Sequence, residues 1–176
     1  MILKAFKKKS NQKYINNILN QRHVAVNSKK IESVGVIFSL NEFGDFDVFR
    51  AFLNELNILP PKTKIIAFVD DEKKNTDTLW DTYFTPKDFG WNGKIKNVDL
   101  QSFVEKDFDA LICFYKQNTI ELDLITATSN ANFKIGISNK DNRLYDFIID
   151  VNPKNFDVFK TESFDFLTFW IDCKID

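Results

Sequence analysis

Asp70 and Asp71 stand directly after an apolar run, Lys64–Val69. Carboxylates at the end of a buried strand are placed to take a magnesium ion or a ribose hydroxyl. Adjacent residues of an extended chain point to opposite sides, so at most one of the pair faces a crevice if the strand continues through them. Solvated strand-end carboxylates are the plainer reading. Ser39, Tyr115, Lys116, Ser138 and Asn139 also follow apolar runs, and parallel strands would gather them on the same edge. A third set lies in Pro86–Asn97, where Phe89 and Trp91 stand beside Lys87, Lys94 and Lys96. Rings of this kind stack on a base or sugar while ammonium groups meet a phosphate; the competing reading is an aromatic plug sealing one end of a sheet. Asp70, Lys87, Trp91, Lys94 and Lys116 are therefore the candidate ligand contacts.

Catalytic chemistry lacks its usual parts. His23 is the one histidine, with no acid nearby in sequence to make it a general base. Cys113 and Cys173 sit inside apolar runs, which reads as buried thiols in a reducing compartment and leaves zinc without a ligand set. Neither a Gly-x-Ser-x-Gly elbow nor a glycine-rich phosphate loop occurs. The turn after the first apolar run, Asn41–Asp47, carries Glu42, Asp45 and Asp47 where a dinucleotide would place its phosphates. A like-charge contact at about 4 Å costs roughly 4 kcal/mol at an effective dielectric of about 20, enough to cancel several hydrogen bonds. No catalytic residue, metal site or cofactor is expected.

Charge is unevenly distributed. Residues 1–30 hold eight basic residues and no acid, leaving 16 basic against 25 acidic residues in 31–176. Such asymmetry points to an anionic partner at one end. Residues 3–21 have the pattern of a helix, with Leu3, Phe6, Ile15, Ile18 and Leu19 read as its apolar stripe. Lys4, Lys7, Lys8, Lys9 and Lys13 are the candidate contacts to RNA phosphate or an anionic membrane surface. The alternative is a peripheral helix that simply solvates its lysines.

These residues need a scaffold, and the chain spells one out. Phe108–Tyr115 is apolar at every position after Asp109, as in a strand covered on both faces. Ser33–Leu40, Lys64–Val69, Phe133–Ile137 and Asp146–Val151 are further strands, with a short one near Tyr83–Phe84 or Lys96–Val98. Helices are expected from a cap at Asn41 or Asp45 to Asn57, over Leu100–Lys106 with Asp99 as cap, over Thr119–Ala131, and over Phe156–Lys174. Alternation of this kind predicts a three-layer α/β/α sandwich with a mostly parallel, Rossmann-like sheet of about five or six strands. The basic N-terminal helix and a C-terminal helix pack on that sheet. At 176 residues this is one domain, a basic helical arm (1–30) on an acidic core (31–176). With neither a secretory signal nor an 18-residue apolar window, a cytoplasmic protein is expected.

Lys13-Tyr14-Ile15-Asn16, Pro86–Asn97 with its Trp-Asn-Gly, Phe108-Asp109-Ala110-Leu111 and Phe156-Asp157-Val158-Phe159-Lys160 resemble a family of short Bacteroidota proteins, a domain of unknown function. The resemblance spans nearly the whole chain and implies a cytoplasmic bacterial protein, without activity or site residues. Phe108–Ile137 is also similar to nucleotide-sugar-binding lobes of bacterial heptosyltransferases, a likeness of architecture. The first expectation is a non-enzymatic binding protein whose basic N-terminal helix contacts RNA or a ribonucleoprotein. The alternative is a nucleotide or sugar-phosphate site at the carboxyl ends of the strands, as in a degenerate glycosyltransferase lobe. Homodimerisation through the aromatic loop or the closing helix is a third possibility.

Overall fold

The computed structural model describes residues 2–22, 30–71, 81–117 and 119–172. His23, Cys173 and the segment 72–80 lie outside them, as does the end of the expected closing helix. A basic helix, α1 (Ile2–Gln21), comes first. Then β1 (Val34–Ser39), α2 (Phe46–Glu55), β2 (Thr63–Phe68) and β3 (Thr82–Phe84) follow. The second half holds α3 (Val98–Glu105), β4 (Ala110–Phe114), α4 (Ile120–Thr128), β5 (Phe133–Gly136), β6 (Phe147–Ile148) and α5 (Phe156–Asp172).

The six strands form one parallel sheet in the order β3-β2-β1-β4-β5-β6. This is the three-layer Rossmann-like architecture expected from the sequence. The apolar run Phe108–Tyr115 contains β4, which is buried at every position and lies between β1 and β5. Its alternate residues feed two cores. Leu111, Cys113 and Tyr115 pack with α1, α3 and α4, while Ala110, Ile112 and Phe114 pack with α2 and α5.

Local signals set the element ends. Of the two cap candidates, Asn41 and Asp45, it is Asp45 that caps α2, by accepting from Asp47 N. Asn57 ends the helix with a left-handed φ of 58°, and Ile58 N reaches back to Leu53 O at 2.9 Å, a Schellman closure. The cap of α3 is Asn97 instead of Asp99, because Asn97 Oδ1 accepts from Leu100 N and lets the helix start two residues earlier. Thr119 caps α4 through Leu122 N.

At the amino ends of the strands, Asp109 joins β1 to β4. One of its carboxylate oxygens accepts from Glu32 N, Ser33 N and Ser33 Oγ at 3.0, 2.9 and 2.8 Å. Ser33 Oγ in turn accepts from Asp109 N at 3.0 Å.

α1 corrects the stripe inferred from sequence. Asn11, Ile15 and Leu19 are buried, whereas Leu3 and Phe6 are 74% and 56% exposed. At 3.6 residues per turn, the nine residues from Phe6 to Ile15 rotate the chain to about the opposite side of the helix.

Candidate functional site

The strand order reverses between β1 and β4, and the carboxyl ends of those two strands frame the crevice where open α/β sheets take ligands. Here the crevice is filled from within. The Glu42 carboxylate accepts from Lys116 N at 2.8 Å and from Gln117 N at 3.0 Å, two donors that an incoming phosphate would need. The next residue, Phe43, stacks on Phe156 at 5.3 Å and meets Phe114 and Phe49 edge-on. Charge counting treats Glu42 as a repeller of phosphate; in the fold its carboxylate already takes the Lys116 and Gln117 N–H groups.

Lys116 is drawn to the same edge. Its ammonium pairs with Asp150 and reaches Val151 O at 3.3 Å, and Asn139 Nδ2 donates to the other Asp150 oxygen at 3.0 Å. Tyr115 turns inward, its hydroxyl hydrogen-bonded to Thr126 Oγ1 at 2.7 Å. Ser39 and Ser138 are buried.

The Pro86–Asn97 segment is an ordered clasp. Thr85 and Asp88 form a capping box around the 3-10 turn Pro86–Asp88. Phe89 bridges to Ile95 and is buried in the core. Asn92 and Gly93 take positive φ, 52° and 73°. Asn11 of α1 holds the turn from both sides, with Nδ2 donating to Gly90 O and Oδ1 accepting from Gly93 N, each at 3.0 Å. Ser10 Oγ accepts from Asn92 N at 3.1 Å. The Tyr14 ring lies so close over Gly93 that an added Cβ would come within 2.2 Å of it. Phe89 and Trp91, grouped together in the sequence reading, therefore part company. Phe89 plugs the sheet, while Trp91 is 47% exposed near the exposed Lys87, Lys94 and Lys96.

A cavity of about 780 Å³ opens between α1 and the carboxyl ends of the strands. Lys4, Lys7, Lys8 and Gln12 form one wall, and Asp70, Asp71 and Pro86 another. Thr119, Ile120, Glu121 and Asp123 supply the first turn of α4. Both aspartates line it because β2 ends at Phe68, so strand alternation no longer separates them. Burial pushes the Glu121 carboxyl above its usual range; its own backbone N–H and Lys8 and Lys7 oppose this, while Asp70 adds to it. Lys7 also donates to Phe89 O at 3.4 Å, which ties the lysine wall to the clasp.

The five lysines expected to act together are thus divided: Lys4, Lys7 and Lys8 line the cavity, while Lys9 and Lys13 are exposed outside it. Of the candidate ligand contacts, Asp70 alone lies in the same cavity; Lys87, Trp91, Lys94 and Lys116 line other surfaces. Sequence reasoning missed Glu121 and Asn11. Glu121 could have been found from its place in the first turn after a strand-end cap, Thr119. Asn11 looks like any polar helix residue until the loop closes on it.

Residues 7–169 match the model of a family of unknown function, DUF6913. The chain belongs to that family. No curated protein and no solved structure matches the chain. The matched span holds every segment on which the family resemblance rests, and the DUF6913 fold gives those segments structural work. Tyr14 covers Gly93, Asn16 accepts from Arg143 at 3.1 Å, Asp109 laces two strands, and Phe156 and Phe159 fill the core. Among the described residues, no group of three or more His, Cys, Asp or Glu side chains is arranged to hold a metal ion, and no helix is long and apolar enough to cross a membrane.

Proposed function

We propose that this DUF6913 protein is a non-catalytic binding protein of the Bacteroidota cytoplasm. Its site is the cavity between α1 and the strand ends, and its ligand carries a phosphate and several hydroxyls, as a nucleotide or sugar phosphate does. The observation that carries this reading is convergence. The basic helix and the strand-end carboxylates, separate candidates in the sequence, line one cavity of about 780 Å³. That size lies within the range of small-molecule sites, roughly 300–1,000 Å³. Lys4, Lys7 and Lys8 supply charge for a phosphate, and Asp70 and Asp71 accept from sugar hydroxyls. Inorganic phosphate alone satisfies only the lysine wall. A site for a second phosphate at the β1–β4 switch is closed by Glu42, which favours a monophosphate or a sugar phosphate over a dinucleotide.

A thermal-shift series with nucleoside monophosphates, nucleotide sugars and hexose phosphates tests this. A ligand at 100 times its dissociation constant stabilises by about 2.7 kcal/mol, which raises Tm by roughly 5–10 °C for a chain of this size. Lys8→Ala and Asp70→Asn should each remove the shift while leaving the unliganded Tm within about 1 °C, since surface changes cost little. If no compound in the series moves Tm, the reading is wrong.

A further inference from the structure

The first two turns of α1 present a second surface, facing away from the cavity. Ile2, Leu3 and Phe6 are 73%, 74% and 56% exposed. Residues three and four apart share a helix face, so Leu3, Phe6 and Ser10 stand in one row and Ile2 flanks it. Ser10 is where the clasp attaches, through Asn92, and the neighbouring Trp91 is 47% exposed. Asn11 and Ser10 fasten the loop that carries Trp91 to the helix that carries the apolar tip, which fixes the two relative to each other. Lys9 and Lys13 on the same helix are exposed, Lys87 and Lys94 on the loop are exposed as well, and α1 contains no acid.

We propose that this surface docks on an anionic lipid bilayer. The chemistry discriminates among occupants. RNA would use the lysines and Trp91, but Ile2 and Leu3 have no ring to stack on a base and would stay wet. A second copy would bring Lys9 and Lys13 against their equivalents, a like-charge contact with no acid on α1 to relieve it. A bilayer accepts all three components: aliphatic side chains enter the acyl boundary, tryptophan sits at headgroup depth, and lysines meet anionic headgroups. The surface is separate from the cavity, so lipid binding and ligand binding stand or fall independently.

The test is co-sedimentation of the full chain with vesicles of phosphatidylcholine alone and of phosphatidylcholine with 30% phosphatidylglycerol. A gel-shift with total RNA runs in parallel. Binding is expected to the anionic vesicles, at least tenfold weaker to the neutral ones. The double variant Leu3→Ser/Phe6→Ser should lose at least tenfold in affinity with an unchanged Tm, since both side chains are exposed. Lys9→Glu/Lys13→Glu should lose a similar factor. Trp91 emission should shift to the blue on anionic vesicles, and that shift should vanish in Trp91→Phe, which leaves the other tryptophans to report folding. No vesicle binding, or binding indifferent to Leu3→Ser/Phe6→Ser, overturns the proposal. So does RNA binding that is abolished by the lysine pair and untouched by the apolar pair.

Discussion

The two faces of the sheet are built on different chemistry. Under α2 and α5, the rings of Phe38, Phe43, Phe49, Phe114, Phe156 and Phe159 touch in a continuous chain, with centroids 5–6 Å apart. Under α1 and α4, polar groups are buried with the apolar ones. Thr126 Oγ1 meets Tyr115 Oη at 2.7 Å and Cys113 Sγ at 3.5 Å, and Lys134 Nζ donates to Thr126 O at 2.7 Å. Asp146 accepts from Lys134 N and from Arg22. The aromatic face is held by packing, largely edge-to-face, which tolerates no gap. The polar face is held by bonds that tie α4 to β4 and β5 and, through Asp146, β5 to Arg22 just after α1, and the cavity lies between α1, the strand ends and the first turn of α4. The candidate site lies on the polar side.

That contrast can be broken most sharply on the aromatic side. Phe49→Ala or Phe114→Ala should cost about 3–5 kcal/mol in urea unfolding, since both rings are fully buried and leave a cavity. A loss below about 1.5 kcal/mol would mean the ring chain repacks and the faces differ less than stated.

The polar face should show itself in pH. Burial, with Arg22 adding repulsion, lowers Lys134 from 10.5 to about 8. Between pH 8 and 10.5 the unfolded lysine holds a proton that the folded one has released, so this group makes stability rise with pH across that window, by about 3 kcal/mol in all. The Cys113 thiol, pushed up to about 12 by burial, works in the opposite sense above pH 9, as do the buried tyrosines. The lysine's part is therefore read as the difference between wild type and Lys134→Met. That difference should change by about 3 kcal/mol over the window; a flat one rejects the assignment.

Asn11→Ala should cost about 2 kcal/mol, because Gly90 O and Gly93 N lose their shared partner. Amide exchange at Gly90–Gly93 should quicken while that of β4 keeps pace with global stability. The smallest effect is expected at Glu42. Glu42→Ala should cost about 1–2 kcal/mol and leave Lys116 N and Gln117 N open, so that added phosphate stabilises the variant more than the wild type. Equal responses to phosphate would show that Glu42 does not occupy an anion site.

Much of the fold was legible in the residues. The doubly apolar run at Phe108–Tyr115 announced a central strand, and the alternation of strand and helix patterns announced a parallel three-layer sheet. Asp45 was readable as a cap because capping is settled within three residues. The candidate site was legible only in pieces. Asp70 and the lysines of α1 could be named, yet nothing local said that they share a cavity or that Lys9 and Lys13 are left outside it. Glu42 looked like an obstacle to an anion because its partners, Lys116 and Gln117, lie more than seventy residues away. The sequence by itself determined the elements, since period, apolar runs and caps are properties of neighbouring residues. Tertiary structure alone decided the division of charge and the place of each polar side chain, because a helix does not know which of its faces will meet another until distant segments have packed.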